Sequence, residues 1–155
     1  MIYTASIPIA AKKSEADSQR TVLRVGKGLV WLIEVESPPG CAGLAHLQIF
    51  DGSYQMFPAS PSESFASDGT VLSFDDLYLK NVPPYEFVIV TWNEDTHYPH
   101  TMQVRIGMAS SEAFMSRYMP SISWDKFNKT MIEAAKQQQK DKDKQLEDLA
   151  KEIGG

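Results

Sequence analysis

Apolar and polar residues alternate along most of the first 108 residues, which is the pattern of half-buried β-strands. In Tyr3–Ile9 the apolar residues occupy every second position, and Thr101–Ile106 repeats this pattern. Leu29–Val35 and Tyr85–Trp92 are rich in the β-branched and aromatic residues that favour strands. The other predicted strands are Thr21–Val25, Leu44–Phe50, Tyr54–Phe57 and Thr70–Phe74. Within Leu29–Val35, the alternation predicts that Trp31, Ile33 and Val35 share one face.

Turn-forming residues separate these strands. Asp51-Gly52-Ser53 predicts a hairpin, and Ser67-Asp68-Gly69 predicts another turn. About eight short strands at this spacing predict an all-β fold, an antiparallel β-sandwich of the jelly-roll kind. An immunoglobulin-like sandwich is the nearest rival, but the chain lacks the Cys–Trp–Cys signature of that fold. No alternation of strands and helices precedes residue 110, which argues against a doubly wound α/β fold.

Helical signals replace the alternation after Met108. Ser110-Ser111-Glu112 predicts the start of a short helix that continues through Tyr118 and ends at Pro120. Ser121 or Ser123 then predicts the start of a second, longer helix. The C-terminal part of the chain is therefore expected to be a helical extension.

The second helix carries an apolar stripe that Gln138 and Lys142 interrupt. The residues at helical spacing are Trp124, Phe127, Met131 and Ala135, then Leu146, Leu149 and Ile153. The second half is either a solvated, partly frayed helix or a segment that meets copies of itself or a partner. In the latter case we predict partner contacts by Trp124, Phe127, Leu146, Leu149 and Ile153. Fewer than the ~3 sustained heptads of a strict coiled coil are present.

Composition divides the chain in the same place. The 155 residues carry a net charge of -5 and are 43% hydrophobic, which suits one globular domain with a small appendage. Residues 122–155 hold seven lysines and seven acidic residues, so the whole deficit lies in the first 121 residues. We predict a β-sandwich domain at 1–109 and a helical extension at 110–155.

Charge and composition also disfavour several functions. An acidic chain is a poor partner for nucleic acid, and no apolar run approaches the ~20 residues that cross a bilayer. The single cysteine, Cys41, excludes an internal disulfide and a multi-cysteine zinc site, and its small neighbours predict a buried thiol. No nucleophile elbow, P-loop or dinucleotide motif occurs, so we expect no cofactor.

The most polar segment, TWNEDTHYPH at residues 91–100, holds the candidate metal ligands. These are Glu94, Asp95, His97 and His100, which together could bind a divalent ion. The same composition is typical of a plain turn, which is the interpretation we favour. The third histidine, His46, lies within a predicted strand and is expected to have a satisfied ring.

Aromatic side chains raise the possibility of a sugar-binding surface. Alternation places most of the rings on buried faces. Phe65, in the long loop Ala59–Asp68, and Tyr98 are the two predicted surface ligand contacts.

Four short motifs are distinctive. They are Pro-Pro-Gly-Cys-Ala-Gly-Leu at 38–44, Phe-Ala-Ser-Asp-Gly at 65–69, Pro-Pro-Tyr-Glu at 83–86 and Trp-Asn-Glu-Asp-x-x-Tyr-Pro-His-Thr at 92–101. Together they resemble a poorly characterised group of small proteins from the structural genes of tailed viruses and prophages. The resemblance covers about half of the chain, leaves out the charged tail from Asp125 onward and carries over no functional residue. It implies a capsid decoration or turret protein, or a neck or tail accessory.

The first hypothesis is therefore a non-enzymatic virion structural protein, made in the host cytoplasm. It would assemble with itself and with other virion proteins through its sandwich body and two arms, Met1–Gln19 and Trp124–Ile153. One alternative is a carbohydrate-binding adhesion module. The other is a cupin-like metal-dependent enzyme that uses His97, His100 and a carboxylate.

Overall fold

Eight strands form two four-stranded antiparallel sheets in a computed structural model of the chain, which describes residues 1–118 and 124–154. In spatial order, the first sheet contains Ile2–Ile9 (β1), His100–Ala109 (β8), Gly28–Glu36 (β3) and Val71–Lys80 (β6). The second sheet contains Gln19–Arg24 (β2), Glu86–Asn93 (β7), Ala45–Asp51 (β4) and Tyr54–Phe57 (β5). This confirms the predicted antiparallel β-sandwich with about eight strands.

The strand pairing is that of a long hairpin folded over on itself. β4 pairs with β5 at the closed end of the hairpin, β3 pairs with β6, β2 with β7, and β1 with β8. Successive pairs along this ribbon alternate between the two sheets. Such wrapping of an eight-stranded ribbon is the jelly-roll arrangement, as predicted.

The core lies between the two sheets and follows the alternation of the sequence. Ile7 and Ile9 of β1 and Met102, Val104 and Ile106 of β8 are buried in one apolar cluster. Residues at every second position of a strand point to one face, and the predicted apolar faces of β1 and β8 are confirmed. Burial of each large aliphatic side chain contributes about 1.5–3 kcal/mol.

The register shifts between β3 and β6, and the prediction for this strand was wrong in one respect. Val30 joins the core together with Ile33 and Val35, because the pairing slips between Val30 and Leu32. Trp31 therefore does not share the inward face. β6 is also twice as long as the predicted segment Thr70–Phe74. A bulge on an edge strand hinders pairing with another chain.

The N-terminal segment belongs to the sandwich, which corrects its interpretation as an arm. All eight residues of β1 are in register with β8. The Lys12 amide donates to the Asp95 carbonyl (2.8 Å), and Lys13 bridges to Asn93. A short 3-10 helix, Glu15–Asp17, then leads into β2.

The chain forms two compact units, Met1–Met108 and Ala109–Gly155. The second unit holds Ser111–Tyr118 (α1) and the 31-residue helix Trp124–Gly154 (α2). The Ser110 hydroxyl accepts a hydrogen bond from the Ala113 amide (3.2 Å), so Ser110 caps α1 as predicted. The predicted helix end at Pro120 and the predicted caps Ser121 and Ser123 lie outside the described residues.

Neither α1 nor α2, over the part of the chain that the structure describes, combines the length and apolarity that a bilayer crossing requires.

Candidate functional site

The loop between β7 and β8 is closed by its own side chains. The Asp95 carboxylate accepts the amides of His97 (2.8 Å) and Tyr98 (3.1 Å), and it contacts the His100 ring nitrogen (2.9 Å). The Asn93 side-chain amide donates to the Tyr98 carbonyl (2.9 Å). The His97 amide, then the His100 ring and the Tyr98 amide, lower the pKa of Asp95 to about 2. Asp95 is therefore an ionised group that holds the turn.

The candidate metal ligands divide within this loop. Asp95 and His100 are in contact, whereas Glu94 and His97 are exposed, and the His97 ring pairs with the Thr96 hydroxyl (2.7 Å). Over the residues that the structure describes, no three His, Cys, Asp or Glu side chains are grouped so as to hold a metal ion.

The two predicted ligand-binding aromatics have different environments. Tyr98 is exposed beside His97, with their ring centroids 6.3 Å apart. Phe65, by contrast, is half-buried against the core, and its ring centroid lies 5.6 Å from that of Phe74. Its backbone exchanges two hydrogen bonds with Leu47 (2.9 and 3.0 Å), which extends the edge of the second sheet beyond β5. Phe65 therefore contacts the core with part of its ring, and its role as a surface ligand contact stays a prediction.

The long loop that leads to Phe65 is also anchored. The Gln55 side-chain nitrogen lies within 3.0 Å of the carbonyl oxygens of Pro58, Ser60 and Glu63. The His46 ring nitrogen pairs with the Ser64 hydroxyl (2.9 Å), which satisfies that ring as predicted. The loop is therefore held against the outer face of β4 and β5 by specific hydrogen bonds.

Two of the distinctive motifs, at 38–44 and 65–69, contact each other. The Gly40 amide donates to the Asp68 carboxylate (2.6 Å). The Cys41 thiol is fully buried, as expected, and donates to the Ser67 carbonyl (2.9 Å). Gly69, with a positive φ of 58°, donates its amide to the Pro38 carbonyl (3.2 Å). These motifs therefore stabilise the connection between β3 and β4 against the start of β6.

An ionic cluster that sequence reasoning missed joins the two sheets. The Lys80 ammonium and the Tyr78 hydroxyl both donate to the Asp51 carboxylate, and each donor–acceptor distance is 2.6 Å. The Phe87 ring lies 5.6 Å from the Lys80 ammonium. No local pattern marks this cluster, because Asp51 looks like an ordinary turn residue and the two donors lie 27 and 29 residues away.

The predicted partner-binding residues of α2 separate into internal and exposed groups. Phe127 is buried, and its ring stacks on that of Phe114 with centroids 6.4 Å apart, which corrects its interpretation as a partner contact. The Trp124 side chain lies outside the described residues. Three predicted contacts are exposed: Leu146 (48%), Leu149 (41%) and Ile153 (85%).

A fourth large apolar residue of α2, Ile132, is 56% exposed and was missed. It lies 14 residues, or about four helical turns, before Leu146. Helical geometry therefore places Ile132 on the same face as Leu146, Leu149 and Ile153. The seven-residue spacing was visible in the sequence. The polar residues Gln139 and Lys142 occupy two positions of this spacing, so the apolar pattern is interrupted between Ile132 and Leu146.

No family model matches the chain, and no curated protein matches it either.

Proposed function

We propose that the chain is a non-enzymatic structural protein of a tailed-virus particle, either a capsid decoration or turret protein or a neck or tail accessory. It assembles with itself and with other virion proteins. The observation that supports this role is the exposed apolar face of α2, formed by Ile132, Leu146, Leu149 and Ile153.

The exposed apolar row on one face of the long helix α2 is suited to bind a partner. Each large aliphatic side chain gains about 1.5–3 kcal/mol when it is fully buried, and exposed apolar patches commonly mark interaction surfaces. The rest of α2 is densely charged, which keeps the helix hydrated until that face is covered.

The sandwich supplies a rigid body for such an assembly. Jelly rolls occur in capsid proteins, lectins and cupins, so the fold alone leaves all three hypotheses open. The groups on which the two alternatives rely are engaged in holding this fold. Phe65 packs on the core, and Asp95 closes its own loop together with His100. This engagement favours assembly over ligand binding.

The test is incorporation into particles. Virions made by the encoding genome are purified on a density gradient, and the chain is quantified by mass spectrometry relative to the major capsid protein. We expect a fixed copy number per particle.

Two variants then separate the α2 face from general effects. We expect Leu149→Asp to reduce the copy number. Thr130→Asp adds the same charge on the opposite, exposed side of α2 and should leave the copy number unchanged. Absence of the wild-type chain from the particles would overturn the proposal.

A further inference from the structure

The exposed apolar residues of α2 belong to a longer regular row. Positions spaced alternately three and four apart form a seam along one side of the helix. The seam consists of Ile132, Ala135, Gln139, Lys142, Leu146, Leu149 and Ile153. From Ile132 to Leu149 its two ends are apolar and its two central residues are polar, so the order of apolar and polar side chains is the same in both directions.

We infer that a second copy of α2, running antiparallel, covers this seam and forms a two-fold symmetric dimer of the chain. The inference rests on the proposed function, because it names the occupant of the same helix face. The symmetry axis passes between residues 140 and 141. A residue of one copy therefore faces the residue of the other copy for which the two numbers sum to 281.

The antiparallel register gives suitable partners to the three layers between residues 132 and 149, whereas Ile153 lies beyond them, opposite Asn128. Ile132 faces Leu149, and Ala135 faces Leu146, so a large residue fills the space beside a small one. At the centre, Gln139 faces Lys142, which puts the polar residues in the same layers. The two-fold axis repeats all three contacts in the other half of the dimer.

A parallel pair would be less favourable at the centre of the seam. Each residue would then face its own copy, so two Lys142 ammonium groups would share one layer. Like charges in an interface destabilise it, and a polar group at such a position selects orientation and register. The antiparallel arrangement replaces this contact with a lysine beside the amide of Gln139.

The charges that flank the seam also fit the antiparallel arrangement. Lys136 and Asp143 lie on the same edge of the seam, seven residues apart. In the antiparallel register, Lys136 of one copy lies beside Asp143 of the other, and the symmetry repeats this pair. A parallel pair brings Met131 beside Lys136 and Gln138 beside Asp143 and so creates no ion pair.

The net charge of the two halves of α2 adds a longer-range argument. On either side of the proposed axis, residues 124–140 contain four lysines and two acids, whereas 141–154 contain three lysines and five acids. The first part is therefore positive by two charges, and the second is negative by two. Antiparallel copies align opposite signs along the whole helix, whereas parallel copies align like signs.

Cysteine cross-linking in the full chain tests the orientation. The native Cys41 is fully buried in the sandwich, so the wild-type chain is the unlinked control. Ala135→Cys mixed with Leu146→Cys should give a mixed disulfide dimer. Each variant alone should not, because its own copies lie about 16 Å apart along the axis. Leu149→Cys alone links only in a parallel dimer, since the antiparallel separation is about 25 Å.

A charge exchange tests the flanking pair independently. Lys136→Glu or Asp143→Lys alone should weaken dimerisation by about tenfold in analytical ultracentrifugation, because each converts two attractions into two repulsions. The double variant K136E/D143K should restore the wild-type dissociation constant. Circular dichroism reports whether α2 keeps its helical content in each variant.

The outcomes separate this inference from the proposed function. A Leu149→Cys disulfide without the mixed 135–146 disulfide, or a monomeric wild-type chain, overturns the antiparallel dimer. If that monomeric chain is still found in particles, the proposed function stands. If the chain forms antiparallel dimers but is absent from particles, the antiparallel dimer stands and the proposed function is overturned.

Discussion

The Lys80 ammonium lies 2.6 Å from the Asp51 carboxylate and links β6 of one sheet to the end of β4 in the other. The Lys80 side chain is only 3% exposed, so its charge is balanced within the protein and not by water. The Tyr78 hydroxyl donates to the second oxygen of the same carboxylate (2.6 Å). The cluster of Asp51, Tyr78 and Lys80 therefore connects the two sheets through side-chain hydrogen bonds at one end of the sandwich.

Removal of Asp51 should be more damaging than removal of Lys80. Asp51→Ala leaves a buried ammonium group without its carboxylate, and we expect a loss of about 3–5 kcal/mol in the free energy of unfolding. Lys80→Met removes the charge but keeps much of the volume, and Asp51 retains the Tyr78 donor, so we expect roughly 1.5–3 kcal/mol. Urea titration of each variant measures both values. The double variant should lose less than the sum, and strict additivity would contradict the coupling.

Tyr78 should make the sandwich sensitive to high pH. Burial, followed by the bond to Asp51, raises the pKa of Tyr78 far above its ordinary value of 10.0. The unfolded chain ionises this group above pH 10 while the folded protein does not, so stability falls as pH rises beyond that point. Urea titrations from pH 8 to 11 should show this decline, and Tyr78→Phe should reduce its slope. Equal slopes would mean that Tyr78 contributes nothing to it.

Asp95 should contribute to the acid sensitivity of the fold. Its pKa is lowered from 3.8 to about 2, so the ionised carboxylate favours the folded state. That contribution is complete above about pH 5 and is lost progressively as pH falls through the folded-state pKa of about 2. The stability difference between the wild type and Asp95→Asn should therefore narrow across this interval. A difference that stays constant down to pH 2 would refute the assignment.

The contact between the 38–44 and 65–69 motifs should protect the Cys41 thiol. In the native protein we expect negligible reaction with a thiol reagent, because Cys41 is fully buried. Asp68→Ala removes the acceptor of the Gly40 amide, worth roughly 1.5 kcal/mol, so labelling should accelerate about tenfold. Asp17→Ala alters an exposed acid in the short 3-10 helix before β2 and is the matched control. Unchanged labelling in Asp68→Ala would show that the motifs open independently of this bond.

Gly107 should not tolerate a side chain. A Cβ there would lie 2.9 Å from the Leu32 Cβ and 3.0 Å from the Trp31 ring, so β3 would have to move. We expect Gly107→Ala to cost about 1–3 kcal/mol and to shift the fluorescence of Trp31. Thr101→Ala changes an exposed position on the same strand and should have little effect. Equal stability of these two variants would contradict the close contact.

The strands and their inward faces were largely readable from the sequence. Side chains alternate with a period of two whatever a strand pairs with, so the apolar positions of β1 and β8 revealed the core directly. The hairpin at Asp51-Gly52-Ser53 was also local, because the turn needs a residue with positive φ and Gly52 adopts 62°. The predicted jelly-roll sandwich followed from these signals.

Contacts between distant segments were not readable in this way. The return of Phe65 to the edge of β4, the register shift beside Val30 and the Asp51–Lys80 pair each depend on which strands become neighbours. Strand pairing is decided by the packing of the whole sandwich, so the sequence of a single segment does not predict which strand it pairs with.

The helix α2 shows both sides of this division. The spacing from Ile132 to Ile153 is a property of the sequence, since helical geometry alone puts these residues on one face. Which apolar residues remain exposed depended on the tertiary structure: Phe114 stacks on Phe127, whereas Ile132, Leu146 and Ile153 stay accessible. Periodicity depends on neighbours along the chain, but exposure depends on everything that packs around it.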